Sequence, residues 1–158
     1  MFSLIGRATA LFERIPSDLI AIVARIGIAT TFLRSGLLKL DGWSDGNTLA
    51  LFTDEYKLPL IPPEIAAYMA TAAELSMPVF IIAGFFTRFA ALALLVMTLV
   101  IEIFVYPNAF DTHGVWAAVL LYLIKYGAGT VSLDNFVSAL RGNFPGAAPV
   151  RLDADKLL

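Results

Sequence analysis

Cysteine is absent from the 158 residues of this chain. That excludes disulfides, thiol redox chemistry, iron–sulfur ligation and covalent haem attachment. Histidine occurs once, as His113, so a bis-histidine haem held by this chain alone is excluded too. Any redox cofactor must be non-covalent or carried by a partner protein. No block of basic residues exists and the net charge is −2, so nucleic acid is not an expected partner. Residues 1–16 lack a continuous apolar core and a small-residue cleavage site, and no cleavable signal peptide is expected. No Gly-rich nucleotide loop, zincin motif or nucleophile elbow is present.

Charge is also scarce, and apolar residues are in surplus. The chain is 59% hydrophobic, against about 45–50% for soluble domains. A unit this small cannot hide such a surplus inside itself. The surplus is gathered into four runs, about 19–40, 63–84, 86–106 and 114–133. Each is about the 20 residues that a membrane-spanning helix needs. The runs are continuous rather than alternating, which argues against a β-barrel. The expected fold is all-α, a polytopic membrane protein whose four transmembrane helices form one bundle over residues 1–140. A short N-terminal amphipathic helix over 3–15, carrying Leu4, Ala8, Leu11 and Ile15 on one face, is expected to lie on the membrane surface. Residues 141–158, with Gly142, Pro145, Gly146 and Pro149, read as a mobile tail. Arg7, Arg14, Arg88, Arg141, Arg151 and Lys156 fall on one side of the bundle, with Lys57 opposite. The positive-inside rule then puts both termini in the cytoplasm.

Ionisable residues inside the runs are the candidates for function, because such groups usually face a bundle interior and mark a pathway or a site. Arg34, Lys39, Glu74 and Glu102 make up a candidate polar pocket. From the 1.5 Å rise per residue, Glu74 falls near the midplane, with Arg34 and Glu102 both outward of it. Depth alone predicts an Arg34–Glu102 pair, and Glu74 between Arg34 and Lys125. Such pairs either fix helix register or serve a ligand, and the residues are compatible with both. Pro78, one turn after Glu74, should free a backbone carbonyl there. Arg25, Arg88 and Asp134 form a second group at the cytoplasmic edge, with Arg25 or Arg88 paired to Asp134. His113, beside Asp111, reads as a solvated turn residue. Trp43 reads as an interfacial anchor, and Trp116 and Tyr122 as the aromatics placed to flank a flat ring.

An ordered set of residues resembles the DoxX family of small four-helix bacterial membrane proteins. It comprises Arg25-Ile26-Gly27 followed by Phe32, Gly36 and Lys39; then Glu74 and Gly84-x-x-Thr87-Arg88; and last Gly127-Ala128-Gly129 with Ser132-Leu133-Asp134. The chain departs from that pattern at Ala128, where the family often has Pro, and at the additional charge Lys125. The resemblance implies a multi-pass protein of the bacterial cytoplasmic (inner) membrane. Some members of the family are subunits of thiosulfate:quinone oxidoreductase, others associate with redox-stress proteins, and many have no assigned activity. It therefore implies membrane lipid as a partner, a redox partner protein, and a non-covalently bound quinone as cofactor, with oligomerisation left open. A non-enzymatic scaffold or small-molecule carrier using the same cavity is the alternative.

Overall fold

The computed structural model describes Thr9 and residues 11–141. Most of the expected N-terminal amphipathic helix and nearly all of the expected tail lie outside these residues. Of the former, one turn is described, closed by Glu13 N–H donating to the Thr9 carbonyl at 3.0 Å.

Among the described residues every regular element is helical. α1 is Ser17–Asp41, α2 Asn47–Ala50, α3 Pro63–Ala83, α4 Thr87–Val100, α5 Phe110–Tyr126 and α6 Leu133–Arg141. Two of them relax into π-helical turns, α2 over Leu51–Tyr56 and α4 over Ile101–Val105. Three helical stretches are long and apolar enough to cross a membrane: Ser17–Asp41, Pro63–Ala83 and Thr87–Val105. Their outward surfaces are apolar, with Leu38 75% and Phe89 71% exposed. A soluble domain could not leave that much apolar surface in water.

The first three expected runs match these helices within a residue or two. The fourth does not: 114–133 was expected and Phe110–Tyr126 is found. The helix begins earlier because Gly114 continues it rather than breaking it, with the Phe110 ring lying over the missing side chain. It ends earlier because Gly127 and Gly129 take φ of +78° and +81°, a left-handed backbone open to glycine and disfavoured for other residues.

α1 packs along α3, α3 against α4, α4 against α5, and α5 returns to α1. Neighbours run antiparallel. Arg25 near the start of α1 meets the end of α3, whereas Trp43 just beyond α1 meets Tyr68 near the start of α3. The core is Ile28, Ala29, Phe32, Ile81, Leu94, Leu120 and Leu123, all buried. On α1 the buried positions Arg25, Ile28, Phe32, Gly36 and Lys39 recur at helical spacing. The fold thus has two ends. One gathers Asp18, Arg25, Gly84 and the 127–134 segment. The other gathers α2, its π-helical continuation and the α4–α5 turn.

Candidate functional site

Gly36 sets the central geometry. A Cβ there would lie 2.9 Å from the Glu74 carbonyl carbon and 2.9 Å from Glu74 Cβ, so only glycine lets α1 approach α3 this closely. Glu74 is 2% exposed at that contact. Lys39, one turn beyond Gly36, leans back toward the helix N-terminus, as helical side chains do. Its ammonium donates to Glu74 Oε1 at 3.0 Å, to Glu74 Oε2 at 2.8 Å and to Ser35 Oγ at 2.9 Å. An ammonium has three donors, and all three are used. Pro78 has no N–H to offer the Glu74 carbonyl four residues earlier. Two of the four candidate pocket residues, Lys39 and Glu74, are therefore joined as a buried, satisfied ion pair. Gly36→Val should separate them and destabilise the protein by about 1–3 kcal/mol, the usual penalty of overpacking. Unfolding in mixed micelles would measure it, and an unchanged midpoint would mean that the helices can part freely.

The other two candidates sit elsewhere. Arg34 is exposed, because it lies two residues from both Phe32 and Gly36 and so falls on the opposite side of α1 from its buried face. The expected Arg34–Glu102 pair is absent. Glu102 is instead hydrogen-bonded to His113, with Oε2 2.6 Å from Nδ1. The two residues are brought together by the antiparallel return of α5 along α4 across a short turn. His113 is buried rather than solvated, and its ring lies 5.1 Å from that of Trp116. Lys125, expected near Glu74, is exposed, with its ammonium 5.1 Å from the ring centre of Tyr126. Trp116 packs edge-on to Phe32 in the core, and the Tyr122 ring lies 5.0 Å from that of Tyr126.

The aromatic pair that does line an opening is Trp43 and Tyr68, stacked with ring centres 4.3 Å apart. With Leu40, Thr71, Ala72 and Leu75 they line an apolar groove of about 430 Å³. Leu40 adjoins Lys39 in sequence and Thr71 is one turn before Glu74, so the groove lies on the outer side of the wall that carries the ion pair. Thr71 Oγ1 donates to the Ala67 carbonyl at 2.8 Å. It accepts from the Trp43 indole N–H only at 3.4 Å, a long bond that leaves this donor loosely committed. Sequence reasoning took Trp43 as an anchor and passed over Tyr68. Their contact joins residues far apart in the chain that no local pattern links.

The same end is roofed by the π-helical turn after α2. The Tyr106 hydroxyl donates to Glu55, and Tyr56 packs edge-on to Tyr106 at 5.9 Å. The hydrogen bond to Glu55 pushes the Tyr106 phenol above its usual range, and burial does the same to Tyr56. Both phenols therefore stay neutral throughout the physiological range.

At the opposite end Arg25 is 6% exposed and ties three segments together. Its guanidinium donates to the carbonyls of Ile81 (2.8 Å) and Ile82 at the end of α3, and to those of Ala128 (3.1 Å) and Val131 (2.7 Å). Asp134, expected to pair with an arginine, makes no direct ion pair with Arg25 or Arg88, though its charge acts on the Arg25 guanidinium. Its carboxylate caps α4 by accepting from the N–H groups of Phe86 at 2.9 Å and Thr87 at 3.3 Å. Arg88 is exposed.

Residues 20–107 match the DoxX family. A protein of Haemophilus influenzae (strain Rd) described as "Uncharacterized protein" is 32% identical over 135 residues, covering 79% of this chain and 87% of its own. No solved structure matches the chain.

Proposed function

The chain belongs to the DoxX family of membrane proteins, and from that premise we propose that it is the integral membrane subunit of a quinone-linked oxidoreductase or redox-stress system. One observation carries this: the stacked Trp43–Tyr68 pair opens an apolar groove of about 430 Å³ against the wall holding Lys39 and Glu74. Ligand sites are mostly apolar clefts of about 300–1,000 Å³ with a few placed polar groups. The residues present fit a flat ring bearing carbonyl acceptors. Trp43 and Tyr68 offer aromatic faces, and the loosely held Trp43 N–H is a donor for a carbonyl oxygen. The quinone supplies the two-electron chemistry. Having no cysteine and a single histidine, the chain depends on a partner protein for electrons. Glu74 and Lys39 are the groups that can hold or pass a proton behind the groove. Arg34 and Glu102 lie outside this arrangement.

In this reading α5, about 25 Å long from its rise, is the fourth crossing of a bacterial cytoplasmic membrane, and both termini are cytoplasmic. Cysteine placed at Asp45 should react with impermeant reagents from outside the cell, and cysteine at Ser138 only from the cytoplasm. Reaction of both from one side would overturn the topology.

A short-tailed quinone titrated into the protein in nanodiscs should quench Trp43 fluorescence saturably. Tyr68→Ala should raise the half-saturating concentration roughly three- to tenfold, from the 0.5–1.5 kcal/mol that an aromatic pair contributes. Quenching that rises linearly and identically in both proteins would mean that the groove takes no quinone. A non-enzymatic scaffold or small-molecule carrier is the second reading. It is favoured by the closed hydrogen bonding of the Lys39 ammonium, which suits a structural pair.

A further inference from the structure

α6 is attached to the molecule the wrong way round for a helix in water. Its apolar residues Leu133, Phe136 and Leu140 recur at i, i+3 and i+7 on one face, and Asp134, Asn135 and Ser138 occupy the other. An amphipathic helix in aqueous surroundings turns its apolar face onto the body of the protein. Here the attachment is polar. Asp134 holds the start of α4 through its carboxylate, and its own N–H donates to the Gly84 carbonyl at 2.8 Å. The Asn135 amide donates to the Thr130 carbonyl at 3.0 Å. The apolar face is left outward, with Leu133 47%, Phe136 61% and Leu140 73% exposed.

We infer that α6 is an interfacial helix whose Leu133, Phe136 and Leu140 face is buried in lipid at the end of the bilayer where α3 gives way to α4. The occupant is lipid because α6 is anchored at the start of α4, beside a surface already apolar and outward. Phe86, whose N–H is held by Asp134, is 55% exposed, and Phe89 one turn along α4 is 71% exposed. Phe89 belongs to the outer surface of a helix long and apolar enough to span, and Phe86 is the residue that precedes it. A strongly amphipathic helix of low net hydrophobicity is the kind that lies in the plane of the membrane boundary. Asp134 fixes its depth, because the α4 N-terminus that it caps is itself set by the membrane span.

The absence of cysteine makes a direct test possible. Phe136→Cys, Leu140→Cys and Ser138→Cys would each be spin-labelled in the otherwise unaltered full chain and placed in nanodiscs. Relaxation by dissolved oxygen, which concentrates in lipid, is compared with relaxation by a water-soluble nickel chelate. The oxygen-to-nickel ratio should be several-fold higher at 136 and 140 than at 138. Equal ratios at all three sites would put the face in water and overturn the inference. Low accessibility to both reagents at 136 and 140 would mean that protein, such as a second copy of this chain, covers the face, and would overturn it equally.

Discussion

Replacing Glu74 by leucine should destabilise the protein by about 3–5 kcal/mol, the usual penalty for leaving one member of a buried ion pair alone. The Lys39 ammonium would lose two of its three acceptors and keep only Ser35 Oγ. It sits in a side chain 9% exposed, so water cannot readily replace what is lost. Lys39→Met alone should be as damaging, because it strands a carboxylate that is even less exposed. The double replacement Lys39→Met with Glu74→Leu should recover most of the loss, since well-packed apolar side chains often match a buried pair in stability. A double-mutant cycle in mixed micelles gives the coupling directly. Coupling near zero would show that the pair does not hold α1 to α3.

The double variant also separates stability from function. If the pair only holds helices, the variant should fold and bind quinone in the Trp43 groove with unchanged redox behaviour in cells. If Glu74 passes protons, it should fold and bind yet lose quinone-linked turnover. The groove and the ion pair can thus be tested one at a time, because Trp43 and Tyr68 do not bond to either charge in this structure.

What sequence reasoning reached depended on whether the signal was local. Three spans follow from continuous apolar runs, and Glu74 follows as an interior charge because a carboxylate in the middle of such a run has nowhere else to go. The partner of Glu74 was missed because depth was counted from backbone positions. A lysine leans back by most of a helical turn, so Lys39, close to the membrane boundary, reaches a carboxylate that lies deeper. The Arg34–Glu102 expectation failed for a different reason: depth was used without rotation. Arg34 lies two residues from Phe32, which puts it about 200° around the helix from a core residue. His113 was misjudged because the fourth apolar run was begun at Gly114, which left His113 in the turn before it. Yet Glu102 and His113 stand at equal distances on either side of the α4–α5 turn, a symmetry that could have paired them. The Trp43–Tyr68 stack left no such signal, since it depends on how α1 and α3 register along their length.

Arg25→Met should cost about 3 kcal/mol or more, because hydrogen bonds to charged groups contribute roughly 1.5–3 kcal/mol each and this guanidinium makes several. The carbonyls of Ile81 and Ile82 belong to the last turn of α3, where the i+4 helical N–H partners have run out and Ile81 keeps only a turn bond from the Gly84 N–H at 3.1 Å. A positive charge there also complements the helix dipole. The carbonyls of Ala128 and Val131 belong to the segment that follows α5, where the glycines at 127 and 129 turn the backbone. Arg25→Lys should rescue little, since a single ammonium cannot reach carbonyls on two separate segments as a planar fork does. Gly84 supplies an independent check. A Cβ there would stand 2.8 Å from Arg25 Nη2 and 2.6 Å from Ser132 Cβ, at a φ of +67°, so Gly84→Ala should loosen the same junction without removing the charge. Hydrogen exchange would show both variants as faster exchange over residues 127–134, with the Lys39–Glu74 end unchanged. If Arg25→Lys instead restores full stability, the charge alone holds this end and the fork geometry contributes nothing.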